Sequence, residues 1–248
     1  MQLANKVAVV TGASGDLGKK ILQKFSEEGA NIYALVRDIN NNSFNDFTKK
    51  LTVKFKNKIK IIYLDLEKEE TIKESFEIIK TENSYIDILI NNAGILENSL
   101  FQMTTRKILR KIFDINFFSQ FFLPQVYLKL LNNSKNGSIV FVSSNSSVDN
   151  PIGRVAYSSS KAAINSLTVT LSRESGVKNL RVNAVLPGLT NTKMANNFTK
   201  KEAINEYIND VSLKRVAEPD EISNVITFLS SDDSSFINGQ LIKVDGGR

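Results

Sequence analysis

Residues 6–18 read Lys6-Val7-Ala8-Val9-Val10-Thr11-Gly12-Ala13-Ser14-Gly15-Asp16-Leu17-Gly18, a short apolar run that breaks into a glycine-rich turn. A run of this length suits a strand covered on both faces. Helical periodicity sets in directly behind it, so the turn joins the end of a strand to the start of a helix. In such a turn, backbone amides and a helix N-terminus can meet a pyrophosphate. Gly12, Gly15 and Gly18 permit the tight bend, the close approach of backbone to phosphate and the packing of helix on strand.

Outward from this turn, short β-branched runs alternate with longer segments of helical period. Strands are expected at 6–11, 31–36, 58–65, 86–91, 137–143, 181–186 and 241–244. Helices are expected at 17–28, 43–54, 68–83, 104–132, 155–175 and 220–230, the last begun by Pro219 and Asp220. No linker or low-complexity stretch divides the series, and 248 residues commonly build one large core. The pattern predicts a single α/β domain over 1–248: a three-layer, Rossmann-type doubly wound sheet of about seven parallel strands with helices on both faces. Pro124 removes an amide donor from the long fourth helix and should free the carbonyl of Gln120, predicting a kink.

The chain has no Cys and no His, which excludes disulfides, thiolate or imidazole metal sites, Cys nucleophiles and any Ser-His-Asp arrangement. No metal is expected. The net charge of +6 is spread through the sequence rather than gathered in an arm, so nucleic acid is not an expected partner. No apolar run approaches the roughly 18–20 residues needed to cross a bilayer, and the first residues enter a strand without a basic-then-apolar leader. No membrane association and a cytoplasmic location are the expectations.

The second strand ends as Ala34-Leu35-Val36-Arg37-Asp38, at the place where dinucleotide sites meet the adenosine ribose. An acidic residue there binds the 2′-hydroxyl, whereas an Arg accommodates a 2′-phosphate. Arg37 directly follows the last strand position, so NADP(H) is expected over NAD(H), with Asp38 taking the ribose if the loop turns differently. Asp65 closes the third strand, placed to hydrogen-bond the adenine amino group or to serve as a helix N-terminal carboxylate. Tyr157 and Lys161 stand four residues apart in V-A-Y-S-S-S-K-A-A and share one helical face. A fixed ammonium near a phenol favours phenolate and makes the tyrosine a usable acid and base.

The ordered set of motifs resembles the short-chain dehydrogenase/reductase family in its compact, single-domain branch, over essentially the whole chain. The glycine turn is followed by Asn91-Asn92-Ala93-Gly94, by Asn116, by Ser144 thirteen residues before Tyr157, and by Lys161, Pro187-Gly188 and Thr192. Asn238-Gly239-Gln240 and Val244-Asp245-Gly246-Gly247 close the series. The resemblance implies that Tyr157 is the general acid and base at a carbonyl or alcohol. It implies that Ser144 holds the reacting oxygen, that Lys161 lowers the phenol pKa and binds the nicotinamide ribose, and that Asn116 holds a water linking Lys161 to solvent. Ser143, Ser146 and Ser147 crowd the same loop, and only the thirteen-residue spacing selects Ser144. Cofactor contacts are implied at Gly12, Ser14, Gly15, Asp16, Leu17, Gly18, Arg37, Asp65, Leu66, Asn92, Ala93, Gly94, Tyr157, Lys161, Pro187, Gly188 and Thr192. Residues 189–213, polar and rich in Asn and Lys, read as a mobile lid over the substrate.

One departure stands out. The compact branch has T-G-x-x-x-G-x-G, whereas here Asp16 takes the place of the second of those glycines and Gly15 stands one position earlier. A carboxylate pointing inward would oppose the pyrophosphate, so Asp16 is expected to face solvent or cap the first helix. The length and the Asp-Gly-Gly-Arg ending are similar to those of bacterial 3-oxoacyl-acyl-carrier-protein reductases, with Lys135 and Lys178 where those enzymes place arginines that meet the acidic carrier. The expected function is therefore an NAD(P)(H)-dependent reduction of a 3-oxoacyl thioester, free or carried on acyl carrier protein. The alternatives are a reductase of a sugar, sugar nucleotide or polyol, and a cofactor-binding regulatory protein without turnover. Phe113, Phe117, Phe118, Phe121 and Phe122 crowd the long fourth helix and predict a self-complementary face, with Phe236 and its neighbours supplying a second contact. A homodimer or homotetramer is the expected assembly.

Overall fold

The computed structural model describes residues 1–199 and 201–248. Seven parallel strands form one sheet: β1 (Val7–Thr11), β2 (Asn31–Val36), β3 (Ile59–Tyr63), β4 (Ile88–Asn91), β5 (Gly137–Val142), β6 (Leu180–Pro187) and β7 (Leu241–Val244), in the order β3-β2-β1-β4-β5-β6-β7. The register is continuous through the centre, with Val9 opposite Tyr33 on one side and Leu89 on the other. The helices are α1 (Asp16–Glu27), α2 (Asn42–Phe55), α3 (Glu69–Glu82), α4 (Arg106–Phe113), α5 (Ser119–Asn132), α6 (Ser146–Asp149), α7 (Val155–Ser175), α8 (Lys193–Phe198), α9 (Lys201–Asp210) and α10 (Pro219–Ser230).

Strand alternation builds the layers. Ala8 and Val10 face a core with Ile21, Leu22 and Phe25 of α1 and Ile222, Ile226 and Leu229 of α10. Val7 and Val9 point the other way, to Ile72 and Ile79 of α3, Leu123 and Tyr127 of α5, and Ile164 of α7. This is a Rossmann-like α/β fold with helices on both faces of the sheet. Tyr127 is fully buried, and its hydroxyl meets the Ser75 hydroxyl at 2.8 Å.

One expectation, a single unbroken helix over 104–132, requires correction. Between α4 and α5 the chain forms a π-helical turn, Asp114–Phe118, in which the Ser119 amide donates to the carbonyl of Asp114. The helix is therefore interrupted upstream of Pro124, which sits inside α5. Residues 189–213, read as a lid, hold α8 and α9, with Lys200 outside the described residues. Thr192 caps α8 by accepting from the Ala195 amide at 3.2 Å, and Ile204, Tyr207 and Ile208 recur at helical spacing in α9.

The β1–α1 turn tolerates no side chain at Gly18. A Cβ there would lie 2.2 Å from the Gly12 carbonyl oxygen and 2.8 Å from the Ala13 Cα, both backbone atoms. Gly18→Ala should lower the melting temperature by about 5 °C or more in thermal unfolding, since the turn must open to admit the methyl. A wild-type melting temperature would show that the turn yields freely.

Candidate active site

The carboxyl ends of β1 and β4 lie at the point where the winding of the sheet reverses, the place where ligands bind in open α/β sheets. A cleft of about 1310 Å³ opens there and runs from the glycine turn to the first turns of α7, with residues of α8 and α9 among its walls. Thr11 ends β1, and its buried hydroxyl donates to the Ile90 carbonyl at 3.2 Å while accepting the amides of Asn92 and Ala93 at 3.0 and 3.1 Å. The Asn92 side chain returns two bonds, to the carbonyls of Thr11 and Gly12. Gly12 has φ +62°, and a Cβ on it would lie 2.9 Å from the Ala93 Cα. The turn and the loop after β4 are thereby locked together as one floor.

Gly15 begins α1 and offers no side chain to its first-turn amides, which stay free to meet an anion. Ser14, Asp16, Leu17 and Gly18 line the same end of the cleft. Arg37 also lines it, exposed, with Glu67 at 3.7 Å. Asp38 is turned to a local task, accepting from the Asn40 amide at 3.0 Å. Asp65 and Leu66 line the cleft beyond, and the Asp65 carboxylate accepts from the Glu67 amide at 3.1 Å. Asp16 is half-exposed and does not cap α1: its carboxylate accepts from the backbone amide of Lys193 at 2.6 Å.

At the other end, β5 runs into the serine loop and α7 carries the phenol. The Ser143 hydroxyl donates to the Lys161 carbonyl and to Asn165, and the Ser147 hydroxyl donates to the Ser144 carbonyl. Those serines are committed to holding the loop on α7. The Ser144 hydroxyl lies beside the Tyr157 phenol, and Tyr157, Lys161, Gly94, Pro187 and Gly188 line the cleft with it. Burial pushes the Tyr157 phenol above its ordinary pKa, while the Ser144 hydroxyl and the Arg154 guanidinium act in the opposite direction. Lys161 is buried, donates to the Val142 carbonyl at 2.7 Å, and holds its ammonium 6.0 Å from the Tyr157 ring centre. Desolvation lowers Lys161 to about 8. Burial thus dominates at the phenol, with Arg154 acting against it as a second cation beside the Lys161 ammonium.

Asn116 is fully buried in the π-helical turn. Its amide oxygen accepts from the Ile95 amide and its amide nitrogen donates to the Ile95 carbonyl, both at 2.9 Å, with the Ser160 hydroxyl at 3.3 Å. The side chain therefore clamps the loop after β4 against α7. Thr192 lines the cleft while capping α8.

The motif spacings did not reveal Arg154, Tyr207 or Arg248. Arg154 stands three residues before Tyr157, and the same helical-face argument that pairs Tyr157 with Lys161 could have found it. It donates to the Thr199 hydroxyl at 3.0 Å. The Tyr207 hydroxyl accepts from the Leu189 amide at 2.9 Å, and Arg248 stacks on the Tyr207 ring at 4.8 Å with Asp149 and Asp210 as ion partners.

A phosphate-cradling turn at one end of a cleft and a half-buried phenol and hydroxyl with a buried ammonium at the other define the class of dinucleotide-dependent oxidoreductases. Comparison with known proteins agrees. A family described as enoyl-(acyl carrier protein) reductase matches residues 12–248. The 3-oxoacyl-(acyl-carrier-protein) reductase FabG of Chlamydia muridarum is 32% identical over 245 residues, covering 99% of this chain and 98% of that protein. The FabG of Thermotoga maritima is 33% identical over 247 residues, covering 100% and 99%. A 3alpha-hydroxysteroid dehydrogenase of Mediterraneibacter gnavus is 34% identical over 255 residues, covering 99% and 98%. The chain belongs to the short-chain dehydrogenase/reductase family.

The buried Lys161 ammonium makes stability depend on pH. Its folded pKa of about 8 lies below the ordinary 10.5, so the unfolded chain binds more protons between those values. This group's destabilising contribution is full below about pH 8 and fades as the pH rises toward 10.5. Lys161→Met should therefore gain stability over the wild type at pH 7, by up to about 3 kcal/mol, with the gain shrinking by pH 10. Denaturant unfolding of both proteins across that range measures it, and a constant difference would mean that Lys161 titrates normally.

Proposed function

We propose that this protein reduces the 3-keto group of an acyl thioester with NADPH, the acyl chain being free or carried on an acyl carrier protein. The observation that carries this reading is similarity to 3-oxoacyl-(acyl-carrier-protein) reductases along the full length of both chains, with Ser144, Tyr157 and Lys161 together at the inner end of the cleft. The residues fit a nicotinamide dinucleotide: Gly12 leaves no room for a side chain, and the uncapped first turn of α1 offers its amides to a pyrophosphate. Ser14, Leu17 and Gly18 would hold the phosphates, Asp65 and Leu66 the adenine, and Asn92, Ala93, Gly94, Pro187, Gly188 and Thr192 the nicotinamide half.

When bound, the dinucleotide supplies the hydride. Tyr157 gives its phenolic proton to the ketone oxygen and takes one back in the reverse direction. Ser144 holds that oxygen and stabilises the charge that develops on it. Lys161 binds the ribose hydroxyls, and Arg154 adds the positive field that acts on the phenol. Asn116 keeps the loop after β4 in place beneath these groups. Lys135 and Lys178 are exposed, and among the described residues neither has an acidic partner, which suits an acidic carrier. Phe118, Phe121 and Phe122 are each about 40% exposed or more on α5 and the turn before it, and we assign this face to a homodimer contact within a dimer or tetramer.

A second reading, reduction of a keto sugar or polyol precursor, is favoured by the charged wall of Asp149, Glu206, Asp210 and Arg248 at the substrate end. Following NADPH oxidation with acetoacetyl thioesters, keto sugars and small ketones side by side tests the two. Thioester reduction is expected, and Tyr157→Phe should cut kcat about 1,000-fold while leaving NADPH affinity within about twofold. Activity with sugars and silence with thioesters would transfer the assignment to the second reading.

The cofactor preference rests on Arg37, with Asp38 drawn into its own turn. Arg37→Ala should weaken NADPH about tenfold and NADH hardly at all in fluorescence titration, as expected for one charge-assisted contact to a 2′-phosphate. Equal changes for both nucleotides would remove Arg37 from the choice.

A further inference from the structure

The carboxylate of Asp16 is the first side chain of α1, beside amides that belong to its own helix, yet it is spent elsewhere. It accepts at 2.6 Å from the amide of Lys193, the first residue of α8. That amide is one of the unpaired donors at the start of a helix, and Thr192 satisfies another by accepting from Ala195. The far end of α8 is fastened as well. The Phe198 carbonyl accepts from the Asn98 side chain, and the Thr199 hydroxyl accepts from Arg154 at 3.0 Å. Arg154 in turn leads into the helix that carries Tyr157. The lid helix thus spans the cleft from the phosphate turn to the catalytic helix, fixed by side chains at both ends.

We propose that Asp16 is a positioning residue that ties the lid to the phosphate-binding turn, so that closing the lid and binding the dinucleotide favour each other. The inference rests on the reading that this cleft takes a nicotinamide dinucleotide. With the lid closed, the carboxylate is held by the Lys193 amide and its charge is partly met there. With the lid open, the same carboxylate stands unpaired beside the amides offered to a pyrophosphate, where its charge opposes the ligand. Lid position and phosphate affinity are then linked, and linkage is reciprocal: the ligand must also favour the closed lid.

Hydrogen exchange by mass spectrometry on the full chain, with and without NADPH, tests this. Asp16→Ala keeps a good helix former at that position and removes the acceptor. It should raise exchange of the amides in 193–198 about tenfold. Asp16→Asn, which keeps an oxygen without the charge, should fall between. NADPH should slow exchange in 193–198 in the wild type and slow it less in Asp16→Ala. With any ketone the protein turns over, KM should rise by a larger factor than kcat falls. Wild-type exchange in Asp16→Ala, or equal protection by NADPH in both proteins, would overturn the latch. Should no ketone in the panel be reduced, the functional reading fails while the exchange rates still decide the role of Asp16. Should Asp16→Ala fail to fold, Asp16→Asn decides alone, and unchanged exchange in it overturns the proposal.

Discussion

The Thr11 hydroxyl carries the junction on which the cleft depends. β1 has β2 on one side and β4 on the other, and the winding of the chain changes sense between those neighbours. Loops leaving β1 and β4 therefore diverge, and the crevice between them is a consequence of topology rather than of any side chain. Something must still hold its two lips in register. Thr11 does so with one donated and two accepted bonds from a buried position, where a fully satisfied polar network specifies one arrangement. Because the Ala93 Cα occupies the space a Gly12 side chain would need, the absence of that side chain and the position of the Asn-Asn-Ala-Gly loop are a single constraint. Gln120 extends the floor to α5 by donating to the Ala93 carbonyl.

Burial at the far end works in two directions. It raises the Tyr157 phenol and lowers Lys161, both away from the charged forms. The same desolvation strengthens every charge that remains, since an ion's field is less screened in a medium of low dielectric. Among the described residues, neither Lys161 nor Arg154 has a carboxylate within ion-pair distance. The Lys161 ammonium is met by a backbone carbonyl and the Arg154 guanidinium by a hydroxyl. Two cations without counterions beside a neutral phenol make a site whose potential suits negative charge. An oxyanion forming at a carbonyl carbon, or a phenolate left after proton transfer, is the charge that such a site stabilises.

Much of this was legible in the sequence because it is encoded locally. Strand β2 and helix α7 begin and end where the apolar pattern does, and the glycine turn lies where the pattern changes period. Strand β3 was overrun to residue 65, since Leu64 continues its apolar run. Its pairing with β2 stops at Val36 opposite Tyr63, so the partner ends the strand and not the propensity. The helices within 189–213 escape a sequence reading for a related reason. The segment is polar and rich in Asn and Lys, but α8 is capped partly by Asp16, 177 residues away in the chain, and no local window contains both. Arg154 was visible in principle, one helical turn from Tyr157.

The displaced glycine of the phosphate turn is intelligible only together with the lid. A carboxylate at that position has two helix N-termini within reach, that of α1 and that of α8. Capping α1 would have filled the amides on which an anion site depends, whereas Gly15 leaves them open. Serving α8 leaves the phosphate turn available and gives a six-residue helix a second fixed point beside its own Thr192 cap, where isolated helices of that length do not persist in water. The same substitution that removes a glycine from the turn therefore supplies the lid with an anchor. On the proposal that Asp16 ties the two together, a docked lid and an anion at the turn favour each other.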